Sequence, residues 1–160
     1  MAISVGDSMP SVTLFEMGED GPSPVATDDL FGGKKVVMFG VPGAFTPTCS
    51  AKHLPGFLQN ADALKAKGVD EIVCVSVNDV FVMGAWAKDQ GSEGKVRLLA
   101  DGSGALAKAM GIELDLVDKG LGVRGCRFSL VAENGKVSAL NLEDGGGFEV
   151  SSAEQILESL

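Results

Sequence analysis

Cys49 is one of three cysteines in this 160-residue chain, and it stands where a thiol is readily made into a nucleophile. It closes the stretch Gly40-Val41-Pro42-Gly43-Ala44-Phe45-Thr46-Pro47-Thr48-Cys49. Before that stretch lies an apolar run of strand length, and after it come residues with helical spacing. In open α/β sheets, ligands sit beyond the carboxyl ends of the strands. At a helix start, unsatisfied backbone N–H groups and the helix dipole favour an anion. A thiol in such a place ionises below the usual value of about 8.5, and the thiolate is the reactive form. Pro42 and Pro47 stiffen the loop. Thr46 brings a hydroxyl that can donate to sulfur or handle an oxygen of the substrate. Spacing alone leaves two accounts open, a reactive thiolate or a small buried thiol, because unpaired cysteine is often buried.

The elements that would hold this loop follow from periodicity. Ser11–Glu16 reads as a short strand and Gly18–Pro24 as a turn or loop. Lys35–Val41 and Glu71–Val77 are continuous apolar runs, as strands buried on both faces require. Leu54, Phe57, Leu58, Ala61 and Leu64 recur at helical intervals, with Pro55 and Gly56 kinking the helix and Gly68 stopping it. Asn78 and Asp79 are N-cap residues for a helix over Val80–Gln90. Val96–Ala100 reads as a strand, Gly104–Met110 as a short helix, and a polar, glycine-rich connection follows. Arg127–Ala132 and Lys136–Leu142 are strands joined through Asn134-Gly135, a strong hairpin signal. Ser151-x-x-Glu154 is a capping box opening a terminal helix. The order predicts an α/β fold with a mixed central sheet and helices on both faces, in one domain over residues 1–160.

Composition removes several function classes. Hydrophobic residues make up 45% and charged residues 22%, values of an ordinary globular chain. The formal net charge of -9 repels phosphate backbones, so no nucleic-acid partner is expected. No apolar run approaches a membrane span, and no secretory signal opens the chain, so no membrane role is expected. Three cysteines without a CxxC pair and one histidine, His53, argue against a disulfide scaffold and a metal site; no cofactor is expected. A reducing compartment follows: cytoplasmic, or a chloroplast or mitochondrion if a transit peptide was removed. Gly145-Gly146-Gly147 reads as a turn, not a phosphate loop. His53, four residues after Cys49, shares its helical face, but the favoured reading is a partly buried polar residue.

Pro42-x-x-x-Thr46-x-x-Cys49 resembles the P-x-x-x-T-x-x-C motif of the peroxiredoxins. The longer run Val41–Ser50 is similar to the type II (atypical) members. So are Lys52–Phe57, Val75–Asp79, Phe81-Val82-Met83 with Trp86, Ala100–Ser103, Leu114-Asp115-Leu116 with Lys119–Gly122, and Arg127-Phe128. Phe148–Glu154 looks like the plant and algal members. The resemblance runs from about Val5 to Leu160.

This resemblance implies a thioredoxin-like fold and a thiol peroxidase acting on hydrogen peroxide and alkyl hydroperoxides. Cys49 would be the peroxidatic cysteine, with Thr46 and Pro42 shaping its pocket and Arg127 at the place of the family's arginine. A guanidinium there stabilises thiolate and hydrogen-bonds the peroxide as its O–O bond breaks. Cys74 falls where plant members have a proposed resolving cysteine, although a thiol inside an apolar strand is equally a small buried hydrophobe. Val150 stands where animal members carry theirs. Cys126, beside Arg127 but pointing the other way along a strand, reads as incidental. Glutaredoxin with glutathione, or thioredoxin, is the implied reductant. A homodimer beside the site is implied too, giving Phe45, Phe81 and Trp86 a role besides core packing. Two competing functions remain. A general thiol–disulfide oxidoreductase lacks its CxxC here, and a non-enzymatic redox sensor would differ from a peroxidase only in rate and turnover.

Overall fold

Apolar runs of strand length alternating with helical segments close into a seven-stranded sheet, seen in a computed structural model that describes residues 2–144 and 147–160. The strands are β1 (Thr13–Gly18), β2 (Gly21–Ala26), β3 (Lys35–Val41), β4 (Glu71–Ser76) and β5 (Arg97–Ala100), then β8 (Phe128–Glu133) and β9 (Lys136–Leu142). Their order across the sheet is β2-β1-β5-β4-β3-β8-β9. β3 pairs in parallel with β4, and β4 with β5, while β8 and β1 run antiparallel on either side of that group. A two-stranded sheet of β6 (Glu113–Leu116) and β7 (Gly122–Gly125) stands apart.

Side-chain alternation along the central strands divides the core into two layers. Val37, Phe39 and Val41 of β3, with Cys74 of β4, face α2 (Leu54–Gln59), α3 (Ala61–Ala66), α4 (Val80–Gln90) and α6 (Ala153–Ser159). Val36 and Met38, with Val73 and Val75, face α1 (Thr27–Phe31) and α5 (Ala105–Met110). This is the thioredoxin-like mixed sheet with helices on both faces. Cys49, Cys74 and Trp86 belong to the first layer.

Several expectations change. Gly18–Pro24 is not a loop: only Glu19 and Asp20 turn, and Pro22 and Pro24 lie in β2, an edge strand where a missing N–H breaks no ladder on the open side. The glycine-rich connection after α5 contains β6 and β7, strands too short for periodicity to reveal. The hairpin is as expected, with φ of 51° at Asn134 and 80° at Gly135 setting a two-residue turn between Glu133 and Lys136. α6 is capped one residue later than the capping box placed it: the Ser152 hydroxyl accepts from Gln155 N, and Ser151 is buried elsewhere. Asp79, not Asn78, caps α4. Gly145 and Gly146, in the run read as a turn, lie outside the described residues. No helix among the described residues is long and apolar enough to cross a membrane.

Candidate active site

The loop between β3 and its helix is held from three sides. Asn78 Oδ1 accepts from Ala44 N at 3.0 Å, Arg124 Nη1 donates to Pro42 O at 3.1 Å, and the Thr46 hydroxyl donates to Gly43 O at 2.6 Å. These ties hold Phe45 at a φ of 64°, a left-handed conformation that costs a bulky side chain about 1–2 kcal/mol. The Thr46 proton is therefore committed to backbone rather than to sulfur, and its oxygen remains an acceptor.

The helix begins at Pro47, and Cys49–His53 form one wide turn, with Leu54 N bonded to Cys49 O. Pro55 follows directly and has no N–H to donate into that turn. Such i→i+5 turns recur at functional sites. Here the turn places Cys49 and His53 on the sheet side, both fully buried. Trp86 Nε1 donates to Ser50 Oγ at 3.0 Å and ties the same turn to α4.

Arg127 is only 3% exposed, so it is not a surface charge at a strand start. It precedes β8 and projects under the Cys49 turn, where Nη2 donates to Cys49 Sγ at 3.3 Å. Nη1 lies 3.1 Å from His53 Nδ1, and the guanidinium lies 5.9 Å from the Phe148 ring centre, a cation–π distance. His53 Nε2 lies 2.9 Å from Ser151 O. A carbonyl only accepts and a guanidinium only donates, so Nε2 carries the proton and Nδ1 accepts. Burial first, and the Arg127 guanidinium second, push the imidazole pKa down to about 3. Phe39, Phe57 and Phe148 surround the ring, with centroids 4.9, 5.6 and 5.0 Å away. His53 is thus not the partly buried bystander that sequence favoured; it is the neutral acceptor that holds Arg127.

Beyond His53 stands a group that sequence reasoning missed. Glu143 Oε2 accepts from the backbone N–H of Glu149, Val150 and Ser151 at 2.8 Å each, and from the Ser151 hydroxyl at 2.7 Å. Burial works against the charged carboxylate, but the Ser151 hydroxyl and the three backbone donors outweigh it and hold the carboxyl below its usual range. A carboxylate just past the end of a strand carries no sequence signal of this kind. Asn78 and Arg124 escaped notice as loop anchors because their partners are distant in sequence.

Cys74 is fully buried, paired across β3 with Phe39. Burial raises its thiol pKa well above the usual value; the nearby Cys49 adds to the rise and Arg127 works against it. Cys126 packs against the opposite core layer, with Sγ 4.0 Å from Glu113 O. The backbone between β7 and β8 at 126–127 is outside both strands, yet the two side chains do face opposite ways. No disulfide joins the three cysteines. Among the described residues no group of three or more His, Cys, Asp or Glu side chains is placed to hold a metal.

Comparison with known proteins gives consistent relatives. A sequence model of the Redoxin family matches residues 4–157. Peroxiredoxin-2C of Oryza sativa is 56% identical over 160 residues, covering 99% of this chain and 98% of that one. Peroxiredoxin-2E-2 of the same organism, described as chloroplastic, is 53% identical over 163 residues, covering 99% of this chain and 72% of that one. The crystal structure of reduced Prx3 from Vibrio vulnificus in complex with hydrogen peroxide superposes with a TM-score of 0.94 at 48% identity, over 98% of each chain.

Proposed function

The chain belongs to the redoxin family and, within it, to the type II peroxiredoxins, which are thiol peroxidases, and from that premise we propose that Cys49 is its peroxidatic residue, acting on hydrogen peroxide and alkyl hydroperoxides. The observation that carries the reading is the 3.3 Å contact of Arg127 Nη2 with Cys49 Sγ, in a guanidinium held from behind by a neutral His53. A permanent cation at that distance favours thiolate over thiol. The reading takes residues 1–160 as one domain.

The thiolate attacks one oxygen of ROOH. An S–O bond forms, the O–O bond breaks, and ROH leaves after taking a proton, so that Cys49 becomes a sulfenic acid. Arg127 stabilises the charge that grows on the leaving oxygen. Thr46, its proton given to Gly43, accepts a hydrogen bond from the bound peroxide, and Pro42 closes the pocket edge. A thiol then condenses with the sulfenic acid, releasing water, and a second thiol reduces the mixed disulfide. The sum is one hydroperoxide and two thiols converted to alcohol, water and a disulfide.

The proposed reductant is external: glutaredoxin with glutathione, or thioredoxin. Burial and a raised pKa make Cys74 a poor nucleophile in the folded chain. An internal Cys49–Cys74 disulfide stands as a second reading because the two thiols share one apolar layer and Cys49 perturbs Cys74. A homodimer is part of the proposal. Phe45 is 51% and Phe81 65% exposed, and the two flank the joint between Ala44 and Asn78. The proposed compartment is a reducing one: the cytoplasm, or a chloroplast or mitochondrion where a transit peptide precedes the chain.

The test is peroxide consumption by the reduced protein with glutaredoxin and glutathione, then with thioredoxin, for wild type, Cys49→Ser and Cys74→Ser. Loss in Cys49→Ser alone supports an external resolving thiol. Loss in both, with Cys74→Ser shown to be folded, supports the internal disulfide. No consumption by wild type with either supply refutes the reading in favour of a sensor.

A further inference from the structure

The residues that touch the reacting sulfur do not account for the most heavily hydrogen-bonded carboxylate outside them. Glu143 is 6% exposed, and a single one of its oxygens takes four donors, all from residues 149–151. One or two such bonds would close a surface loop. Four on one charged oxygen fix the turn as a rigid body. That turn reaches the rest of the site through the carbonyl of Ser151, aimed at His53 Nε2. The strand pair fixes the other end of the arrangement, because Glu143 N donates to Arg127 O at 3.0 Å and continues the β8–β9 ladder. Glu143 is therefore tied to Arg127 through the backbone on one side and through Ser151 and His53 on the other.

The consequence lies in where a proton sits. With the Ser151 carbonyl in place, His53 keeps its proton on Nε2 and offers a lone pair at Nδ1 to Arg127. Without that carbonyl, Arg127 alone favours this tautomer, and the Nε2 proton is left buried without its acceptor. The alternative form sets an N–H of the imidazole against an N–H of the guanidinium, and Arg127 must rotate away from the 3.3 Å contact with Cys49. We infer that Glu143 is a positioning residue which, by clamping residues 149–151, sets the tautomer of His53 and so aims Arg127 at Cys49. This rests on the peroxidase reading for its kinetic consequence, but not for its effect on His53.

The chain has one histidine, so its ring nitrogens give unambiguous 15N signals. In wild type these should report a single, Nε2-protonated tautomer. Glu143→Gln keeps the volume and removes the charge; Glu143→Asp keeps the charge and retracts it, and serves if Glu143→Gln does not fold. Either should produce a mixture of tautomers and slow the oxidation of Cys49 by hydrogen peroxide about tenfold to a hundredfold, the scale at which orienting partners act. The slowing should vanish when the same change is made in a His53→Phe background, because two residues in one relay do not add. The inference is overturned if a folded variant loses thermal stability but keeps the wild-type tautomer and rate. It is equally overturned if the slowing persists undiminished without His53. Should wild-type Cys49 fail to react with peroxide at all, the peroxidase reading falls while the tautomer measurement still decides the role of Glu143.

Discussion

The buried neutral imidazole makes a quantitative claim about stability against pH. His53 has a pKa of about 3 in the folded chain. In the unfolded chain an imidazole titrates near 6.5. Because the folded value is the lower, the unfolded chain takes up a proton between those limits that the folded chain refuses. The stability from keeping His53 neutral is therefore fully present above pH 6.5 and is lost as pH falls from there toward 3. Each pH unit inside the window corresponds to about 1.4 kcal/mol, so lowering the pH from 7 to 5 should remove about 2 kcal/mol. That is a large share of the 5–15 kcal/mol usual for a domain. The carboxylate at Glu143, whose folded pKa is lowered, has the same sign but contributes only below the usual Glu value of about 4.3, outside this interval. The assay is urea unfolding at pH 7, 6 and 5 for wild type and His53→Gln, comparing the change with pH rather than absolute stability. Wild type should lose about 2 kcal/mol more than the variant over the two units. Parallel pH dependences would refute the argument, because they would mean that His53 is protonated in the folded chain and the hydrogen-bond direction assigned between it and Arg127 is wrong.

Two further outcomes follow from single contacts. Arg127→Gln, which keeps a planar donor but removes the charge 3.3 Å from Cys49 Sγ, should lower the second-order rate of Cys49 oxidation about a hundredfold to a thousandfold in a stopped-flow assay. Gly40 lies on β3 directly across from Phe128, and a Cβ there would run into the Phe128 ring, so Gly40→Ala should cost about 1–3 kcal/mol in denaturant unfolding. Because Phe128 is next to Arg127, the same variant should also slow Cys49 oxidation, and an unchanged rate would show that the ring can move without carrying Arg127 with it.

The sequence by itself determined the elements whose signals are local. The buried runs at β3 and β4 need continuous apolar residues, the Asn134-Gly135 turn needs two residues that tolerate positive φ, and the loop and helix start around Cys49 mark it as a candidate, with the family motif deciding between a reactive and a merely buried thiol. Each of those signals is complete within about ten residues. Edge strand β2 and the β6–β7 hairpin were not legible, since proline and glycine in short strands look like loop until a neighbouring strand pairs with them. The site divides along the same line. Cys49, Thr46 and Pro42 share one loop and could be read together. Arg127 entered only through family resemblance, because a lone arginine at a strand start is indistinguishable from a surface charge. The roles of His53 and Glu143 were decided by tertiary structure alone. His53 Nδ1 meets a guanidinium 74 residues away, and its Nε2 meets a carbonyl 98 residues away. Glu143 takes its donors from residues 149–151, close by in sequence, but their link to His53 through the Ser151 carbonyl exists only in the fold. A side chain's protonation state depends on what excludes water from it and what charge stands beside it, and for His53 both come from segments that meet only when the sheet closes.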